Sequence, residues 1–225
     1  MPTSVALIYD FDGTLAHGNM QGHGLLQELG HELEAHFWER GQRVAIEQDA
    51  DEILVYMWRI LEDAQRLGRA VTKEFLATHG ALVPLFPGVD TWFDRIDAFA
   101  AERDLRVEHY VVSSGLYEMI QGCAVANKFR HVFASRYLYD AQGRALAPGV
   151  AINYTTKTQY LFRINKGILN SWDRRALNQW IPESQRPIPF QRMVFLGDGE
   201  TDIPTMKMIR QEGGEAIAVF GDWDN

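Results

Sequence analysis

The sequence contains little cysteine, no excess of positive charge and no long apolar run. Its single cysteine, Cys123, excludes an intramolecular disulfide. The formal net charge of −8 argues against nucleic acid or an anionic membrane as the main partner, because both require a basic surface. No apolar stretch approaches the ~20 residues that span a bilayer, and the first residues enter a predicted strand without a secretory leader. We therefore expect a cytoplasmic protein.

The remaining composition is that of a globular α/β protein. Hydrophobic residues make up 46% and charged residues 23% of the 225 positions, which suits one large domain or a core domain with an insertion. Short apolar segments alternate with segments of helical periodicity, which predicts a doubly wound parallel sheet with helices on both faces. Residues 16–84 lack strand signals and are predicted to form a helical insertion. The predicted strands are residues 5–9, 107–112, 193–196 and 216–220, and residues 131–156 are predicted to be rich in strand, with a turn at residues 140–143. Among the predicted helices, one begins after Thr72 and stops at Gly80, and another opens at residues 165–167 and extends to about residue 180.

Two aspartates follow the first predicted strand directly. The segment Asp10-Phe11-Asp12-Gly13-Thr14 comes after the apolar residues 5–9. Alternate residues of an extended segment point to opposite sides, so Asp10 and Asp12 share a side. Two carboxylates held so close repel each other unless a cation or a proton intervenes. The segment therefore predicts a metal site with one ionised and one protonated carboxylate; an ordinary Asp-Gly turn is the alternative.

Polar residues also follow two other predicted strands. Ser113-Ser114-Gly115 follows residues 107–112, and a segment containing Asp198 and Asp202 follows residues 193–196. Ligands bind at the carboxyl ends of parallel strands, so these side chains are expected to meet in one crevice. The alternative for the second segment is an acidic helix N-terminus. Together with the first two aspartates, a crevice of carboxylate oxygens favours magnesium over zinc.

The order of these motifs resembles the haloacid dehalogenase-like (HAD) hydrolase superfamily. The motif DFDGT at residues 10–14, the SSG after a strand, a lysine at a helix and GDGETD at residues 197–202 occur in the family's order. The resemblance implies a Rossmann-like core of residues 1–15 and 85–225. It also implies a small helical cap of residues 16–84, Mg²⁺ as cofactor and a small phosphorylated metabolite as substrate.

The resemblance also implies a role for each motif residue. Asp10 would be the nucleophile that forms an aspartyl-phosphate, and Asp12 the general acid and base. Asp198 would bind magnesium with Asp10 and the main-chain carbonyl of Asp12, while Asp202 supports the metal shell. Ser113 would hydrogen-bond the transferring phosphoryl group, and a lysine would neutralise its charge. The implied phosphate-binding residues are Asp12, Gly13, Thr14, Ser113, Ser114 and that lysine.

Two lysines are candidates for the phosphate-binding position. Lys166 opens a predicted helix and precedes Gly167, which matches the family's pattern better. Lys157 stands between threonines in a segment predicted to be extended, and it remains the alternative. For either lysine, the non-functional alternative is a solvated residue on the surface. We therefore expect Lys166 to complete the site.

The second aspartate selects among the reactions of the superfamily. Displacing a halide needs no acid, so Asp12 favours phosphoryl chemistry, and a magnesium-dependent phosphatase is the leading hypothesis. A phosphomutase of the same superfamily and a non-catalytic binding protein on this fold are the alternatives. Polar side chains of the loop of residues 17–24 contact either the substrate's organic part or only the loop backbone. They are His17, Asn19, Gln21 and His23.

Overall fold

The computed structural model describes residues 2–220 and contains one six-stranded sheet in the order β4-β3-β2-β1-β5-β6. All neighbouring strands run parallel except the antiparallel pair β3–β4. This topology confirms the predicted α/β class. The strands are β1 (Thr3–Tyr9), β2 (Leu105–Leu116), β3 (His131–Tyr139), β4 (Ala145–Val150), β5 (Met193–Gly197) and β6 (Glu215–Ala218).

Helices cover both faces of the sheet, and four of them lie in the predicted insertion. Within the described residues, no helix has the length and apolar character needed to cross a membrane. The helices of the insertion are α1 (Leu25–Glu28), α2 (Glu34–Gln48), α3 (Glu52–Arg66) and α4 (Lys73–Gly80). The remaining helices are α5 (Val89–Ala101), α6 (Tyr117–Gly122), α7 (Thr156–Lys166), α8 (Arg174–Asn178) and α9 (Ile203–Gln211).

The alternation of side chains along β1 fixes the direction of the first aspartate. Leu7 and Tyr9 belong to the apolar cluster that includes the insertion helices, whereas Ala6 and Ile8 belong to the cluster formed with α7 and α9. Because alternate side chains of a strand share a face, Asp10 continues the side of Ile8. The strand thus delivers Asp10 towards α7.

The last helix of the insertion lies directly against a helix of the core. A Cβ on Gly80 of α4 would overlap the carbonyl group of Met119 in α6, and a Cβ on Gly122 of α6 would overlap that of Ala77 in α4. Side-chain-free positions at both glycines let the two backbones approach closely. Although α4 lies within residues 16–84, it packs on the core, and the division of the chain at residue 84 stays a prediction.

The segment after β4 differs from its prediction. The sequence predicted a helix opening at residues 165–167 and extending to about residue 180, whereas α7 begins at Thr156 and ends at Lys166. Gly167 adopts a left-handed conformation with φ of 69° and is the C-cap of α7. Gly167 therefore ends a helix, whereas the sequence predicted that it lies at the start of one. As a result, Lys157 occupies the first turn of α7 and Lys166 the last.

Candidate active site

Three segments meet at the carboxyl ends of the central strands. Asp10 follows β1, Asp198 and Asp202 follow β5, and Lys157 comes from the first turn of α7. The Nζ atom of Lys157 lies 3.1 Å from Oδ1 of Asp10 and 2.7 Å from Oδ1 of Asp202. The Oγ1 atom of Thr14 donates a hydrogen bond of 2.9 Å to Oδ1 of Asp198. The predicted crevice is thus a compact cluster of three carboxylates and one ammonium group.

The turn after β1 holds the second aspartate against the insertion. Oδ1 of Asp12 accepts a hydrogen bond of 3.0 Å from the main-chain amide of Met20. Gly13 has a φ of 76°, and a Cβ there would overlap the carboxylate of Asp198. Glycine is required at this position for both reasons, because a side chain would be strained and would displace a carboxylate.

Burial changes the proton affinity of both aspartates of the first motif. Burial raises the pKa of Asp10 to about 7, although the positive charge of Lys157 opposes this shift. Burial and the neighbouring charge of Asp10 raise the pKa of Asp12 well above its usual value. The shift of the Asp12 pKa favours its protonated form, which is the form that a general acid needs.

The lysine of the cluster remains charged despite its burial. Only 1% of Lys157 is exposed, and burial by itself would lower its pKa. The charges of Asp10 and Asp202 outweigh this effect, so the pKa of Lys157 lies above its usual value. The side chain therefore supplies a fixed positive charge beside the nucleophile candidate.

The expectation that Lys166 completes the site is corrected by this geometry. Its Nζ atom donates hydrogen bonds of 2.6 Å to the carbonyl of Leu177 and 2.8 Å to that of Gln179. These acceptors lie at the C-terminal end of α8, where a cation is stabilised by the unpaired carbonyl groups. Lys166 lies about two and a half turns of α7 beyond Lys157, because the helix begins before Lys157 rather than at Lys166.

The serines after the second predicted strand lie within β2 itself. Ser113 is 1% exposed, and its Oγ atom accepts a hydrogen bond of 3.0 Å from the amide of Gly115. The carbonyl of Ser114 accepts hydrogen bonds from the hydroxyls of Tyr56, at 2.7 Å, and Ser135, at 3.0 Å. No sequence signal marks Tyr56, because it belongs to no motif and lies between apolar residues of a helix.

The polar residues of the loop after the first motif mainly contact the protein. Nε2 of His23 is hydrogen-bonded to the carbonyl of His17 at 2.7 Å, and Nδ2 of Asn19 donates to Oε1 of Glu34 at 3.0 Å. Gln21 is 2% exposed. Two interpretations were open for this loop, contact with the substrate or contact within the protein. For the side chains of His23 and Asn19, the structure shows contacts within the protein.

Three of the acidic residues fit a magnesium ion. Carboxylate oxygens of Asp10, Asp198 and Asp202 all lie within 4.8 Å of one another, and no histidine or cysteine belongs to this group. Oxygen donors without nitrogen or sulfur are the ligand set of a hard divalent cation. The carboxylate of Asp12 does not belong to this group, and its Oδ1 accepts a hydrogen bond from the amide of Met20. Its main-chain carbonyl is the candidate ligand that the family resemblance implies.

A cavity of about 400 Å³ lies between α2 and α3, and hydrogen bonds connect its walls to the site. Trp38 donates to Glu34, which also contacts Asn19 of the loop that holds Asp12. Tyr56 reaches the end of β2 through the carbonyl of Ser114. The lining residues are Ala35, Trp38, Glu39, Gly41, Gln42, Glu52, Ile53 and Tyr56.

An α/β sheet with a buried carboxylate, a lysine and a cluster of metal-binding carboxylates at its strand ends defines a Rossmann-like hydrolase with a helical insertion. The haloacid dehalogenase-like hydrolase family matches residues 7–207. The chain belongs to this family, as its motifs indicated.

Relatives of this chain include one curated protein and several solved structures. An uncharacterised protein of Borreliella burgdorferi is 27% identical over an alignment of 232 positions, which covers 91% of this chain and 78% of that protein. A HAD-family hydrolase of Salmonella enterica serovar Typhi has a TM-score of 0.63 and 15% identity, covering 99% of this chain and 69% of that one. A phospho-aspartyl intermediate analogue of phosphoserine phosphatase has a TM-score of 0.56 and 15% identity, covering 99% and 97%. These structural similarities concern the fold.

Proposed function

We propose that the protein is a magnesium-dependent phosphatase that hydrolyses a small phosphorylated metabolite through an aspartyl-phosphate on Asp10. The observation that carries this proposal is the contact of Lys157 with Asp10 at 3.1 Å, next to two further carboxylates at metal-binding distance. A carboxylate beside a fixed positive charge can approach a phosphate dianion without strong repulsion. The similar fold of phosphoserine phosphatase and the family match support this chemistry.

The reaction divides the two aspartates of the first motif into different roles. A carboxylate oxygen of Asp10 attacks phosphorus, and the bond from phosphorus to the ester oxygen breaks. Asp12 gives its proton to the departing oxygen and then takes a proton from the water that hydrolyses the aspartyl-phosphate. The net reaction consumes one water and releases an alcohol and phosphate. The raised pKa of Asp12 suits this residue to the first of the two proton transfers, in which it donates a proton to the departing oxygen.

Positive charge and hydrogen-bond donors stabilise the transferring group. Lys157 neutralises charge on the phosphoryl oxygens, and Ser113 and Thr14 are further candidate donors at the strand ends. Asp10, Asp198 and Asp202 would hold Mg²⁺, which supplies additional charge neutralisation when bound. Phosphoryl transfer needs mainly such positioning and electrostatic stabilisation, which this cluster can provide.

The cavity between α2 and α3 is the proposed place for the organic part of the substrate. Its volume of about 400 Å³ suits a small metabolite rather than a macromolecule. Because Tyr56 of α3 donates to the carbonyl of Ser114 near the end of β2, we propose that α1 to α3 act as a cap that limits access of bulk water.

Phosphate release from a panel of phosphorylated metabolites, with Mg²⁺ and with a chelator, tests this function. We expect turnover of at least one ester that requires Mg²⁺ and is lost in Asp10→Asn. Product analysis separates the alternatives, since a phosphomutase yields an isomeric ester rather than free phosphate. Absence of turnover on every ester, or equal turnover by Asp10→Asn, would refute the proposal.

A further inference from the structure

The turn that precedes the candidate catalytic lysine is attached to the insertion by two contacts. Nδ2 of Asn153 donates a hydrogen bond to Oδ2 of Asp51, which is the N-cap residue of α3. The hydroxyl of Tyr154 donates to Oε2 of Glu52 at 3.2 Å. Thus the first residues of α3 contact the chain within four positions of Lys157.

The turn of residues 153–156 is internally rigid, so its position determines where α7 begins. The amide of Asn153 donates to Oγ1 of Thr156 at 2.8 Å, and the amide of Thr156 donates to the carbonyl of Asn153 at 2.8 Å. The amide of Lys157 donates to the carbonyl of Tyr154 at 3.2 Å. A displacement of Asn153 would therefore be transmitted to the lysine.

This turn also carries backbone strain. Tyr154 has a φ of 27°, a conformation that is uncommon for a residue with a bulky side chain. Such a conformation persists only where surrounding contacts hold it. The contacts of Asn153 and Tyr154 with α3 are the ones that reach this turn from the insertion.

A second route connects α3 to the same turn through the core. Tyr56 of α3 donates to the carbonyl of Ser114, which also accepts from Ser135. Oγ of Ser135 in turn accepts a hydrogen bond of 3.1 Å from the amide of Ile152, the residue before Asn153. The helix α3 therefore reaches the turn through this chain of hydrogen bonds as well as through Asp51 and Glu52.

We propose that Asp51 and Asn153 are positioning residues, and that their hydrogen bond places Lys157 against Asp10 when α3 is seated on the core. This inference rests on the proposed function only for the consequence that turnover depends on the bridge. Asp51 serves α3 and the active site together, because its Oδ1 caps the helix while its Oδ2 accepts from Asn153.

The substitution Asn153→Asp tests the bridge by placing a second carboxylate opposite Asp51. We expect kcat to fall by about ten- to a hundredfold, because displacement of a catalytic group by about 1 Å has effects of that size. Amide hydrogen exchange of residues 152–157 should accelerate.

The double variant Asp51→Asn/Asn153→Asp provides the rescue. It exchanges the donor and the acceptor, and asparagine caps a helix as well as aspartate does. We expect kcat and amide exchange to return close to wild-type values. The control Asp49→Asn repeats the Asp51→Asn change at an exposed position two residues before Asp51. It should leave kcat and amide exchange unchanged.

Two results would overturn the inference. One is wild-type kcat and wild-type exchange in Asn153→Asp; the other is a double variant that stays as slow and as exchangeable as Asn153→Asp. Amide exchange does not require turnover, so it decides the bridge even if the wild type hydrolyses no ester. Failure of the proposed function is thereby distinguished from failure of the bridge.

Discussion

At the scale of single residues, the position of one ammonium group separates two otherwise similar lysines. We expect Lys157→Ala to lower kcat by about 10²–10³, the cost of removing one preorganised stabilising group from a site. Lys166→Ala should leave kcat unchanged and lower only the melting temperature, because its Nζ contacts carbonyl groups of Leu177 and Gln179. Steady-state kinetics and thermal melts of the two variants measure both effects. Loss of activity in Lys166→Ala alone would contradict the assignment.

The residues of the site differ in how far the sequence could predict their place. Asp10 and Asp198 directly follow short apolar segments, and the end of such a segment is visible in the sequence. The lysine depends on where a helix begins, and Gly167 is equally compatible with a helix start and a helix end until its φ is known. Tyr56 and Asn153 reach the site only through tertiary contacts, which local patterns do not encode.

At the scale of elements, the close approach of α4 and α6 depends on glycine. We expect Gly122→Ala to destabilise the protein by about 1–3 kcal/mol, the usual cost of forcing an extra carbon into a packed contact. For a chain of this length each kcal/mol lowers the melting temperature by roughly 2–4 °C. Thermal melts measure the change. Gln121→Ala, at the exposed position one residue earlier, is the control and should melt near the wild type.

An unchanged melting temperature in Gly122→Ala would show that the two helices separate at little cost.

The sequence predicted α4 itself, from Thr72 as N-cap and a glycine near its end, and the cap hydrogen bond from the amide of Phe75 to Thr72 is present. It could not predict the partner of α4, because helical periodicity identifies an apolar face but not what covers it.

At the scale of the whole molecule, the buried aspartates make stability depend on pH. The pKa of Asp12 is raised in the folded protein, so over the range above its usual value the folded state binds more protons than the unfolded state. Stability contributed by this proton is therefore lost as pH rises through that range. Asparagine keeps an oxygen for the amide of Met20 and cannot ionise.

We accordingly expect Asp12→Asn to raise the melting temperature of the metal-free protein, and to raise it more at about pH 8 than at about pH 5. Turnover should fall by about 10²–10⁴, as for loss of a general acid and base. Thermal melts in a chelator at both pH values, with phosphate release measured separately, check the two effects. A variant less stable than the wild type at the higher pH would contradict the proposed origin of the shift.

The parallel α/β class was predictable because β1, β2 and β5 each contain a short apolar run that is followed by polar residues. Strand order was not, since the sequence does not say that β1 lies between β2 and β5. The turn at residues 140–143 indicated that a strand returns after β3. In the structure, the amide of Gly143 donates a hydrogen bond to the carbonyl of Asp140, and β4 follows as the antiparallel strand.

The glycine contact between α4 and α6 also defines which part of the chain could be exchanged between related proteins. A transplant cut at residue 84 would remove Ala77 and Gly80 from the neighbours to which they are fitted. A cut between Gly68 and Ala70 would leave that pair intact, together with the hydrogen bond from the amide of Ala145 to the carbonyl of Val71. The transferable module is the stretch of α1 to α3, while α4 is inherited with the sheet.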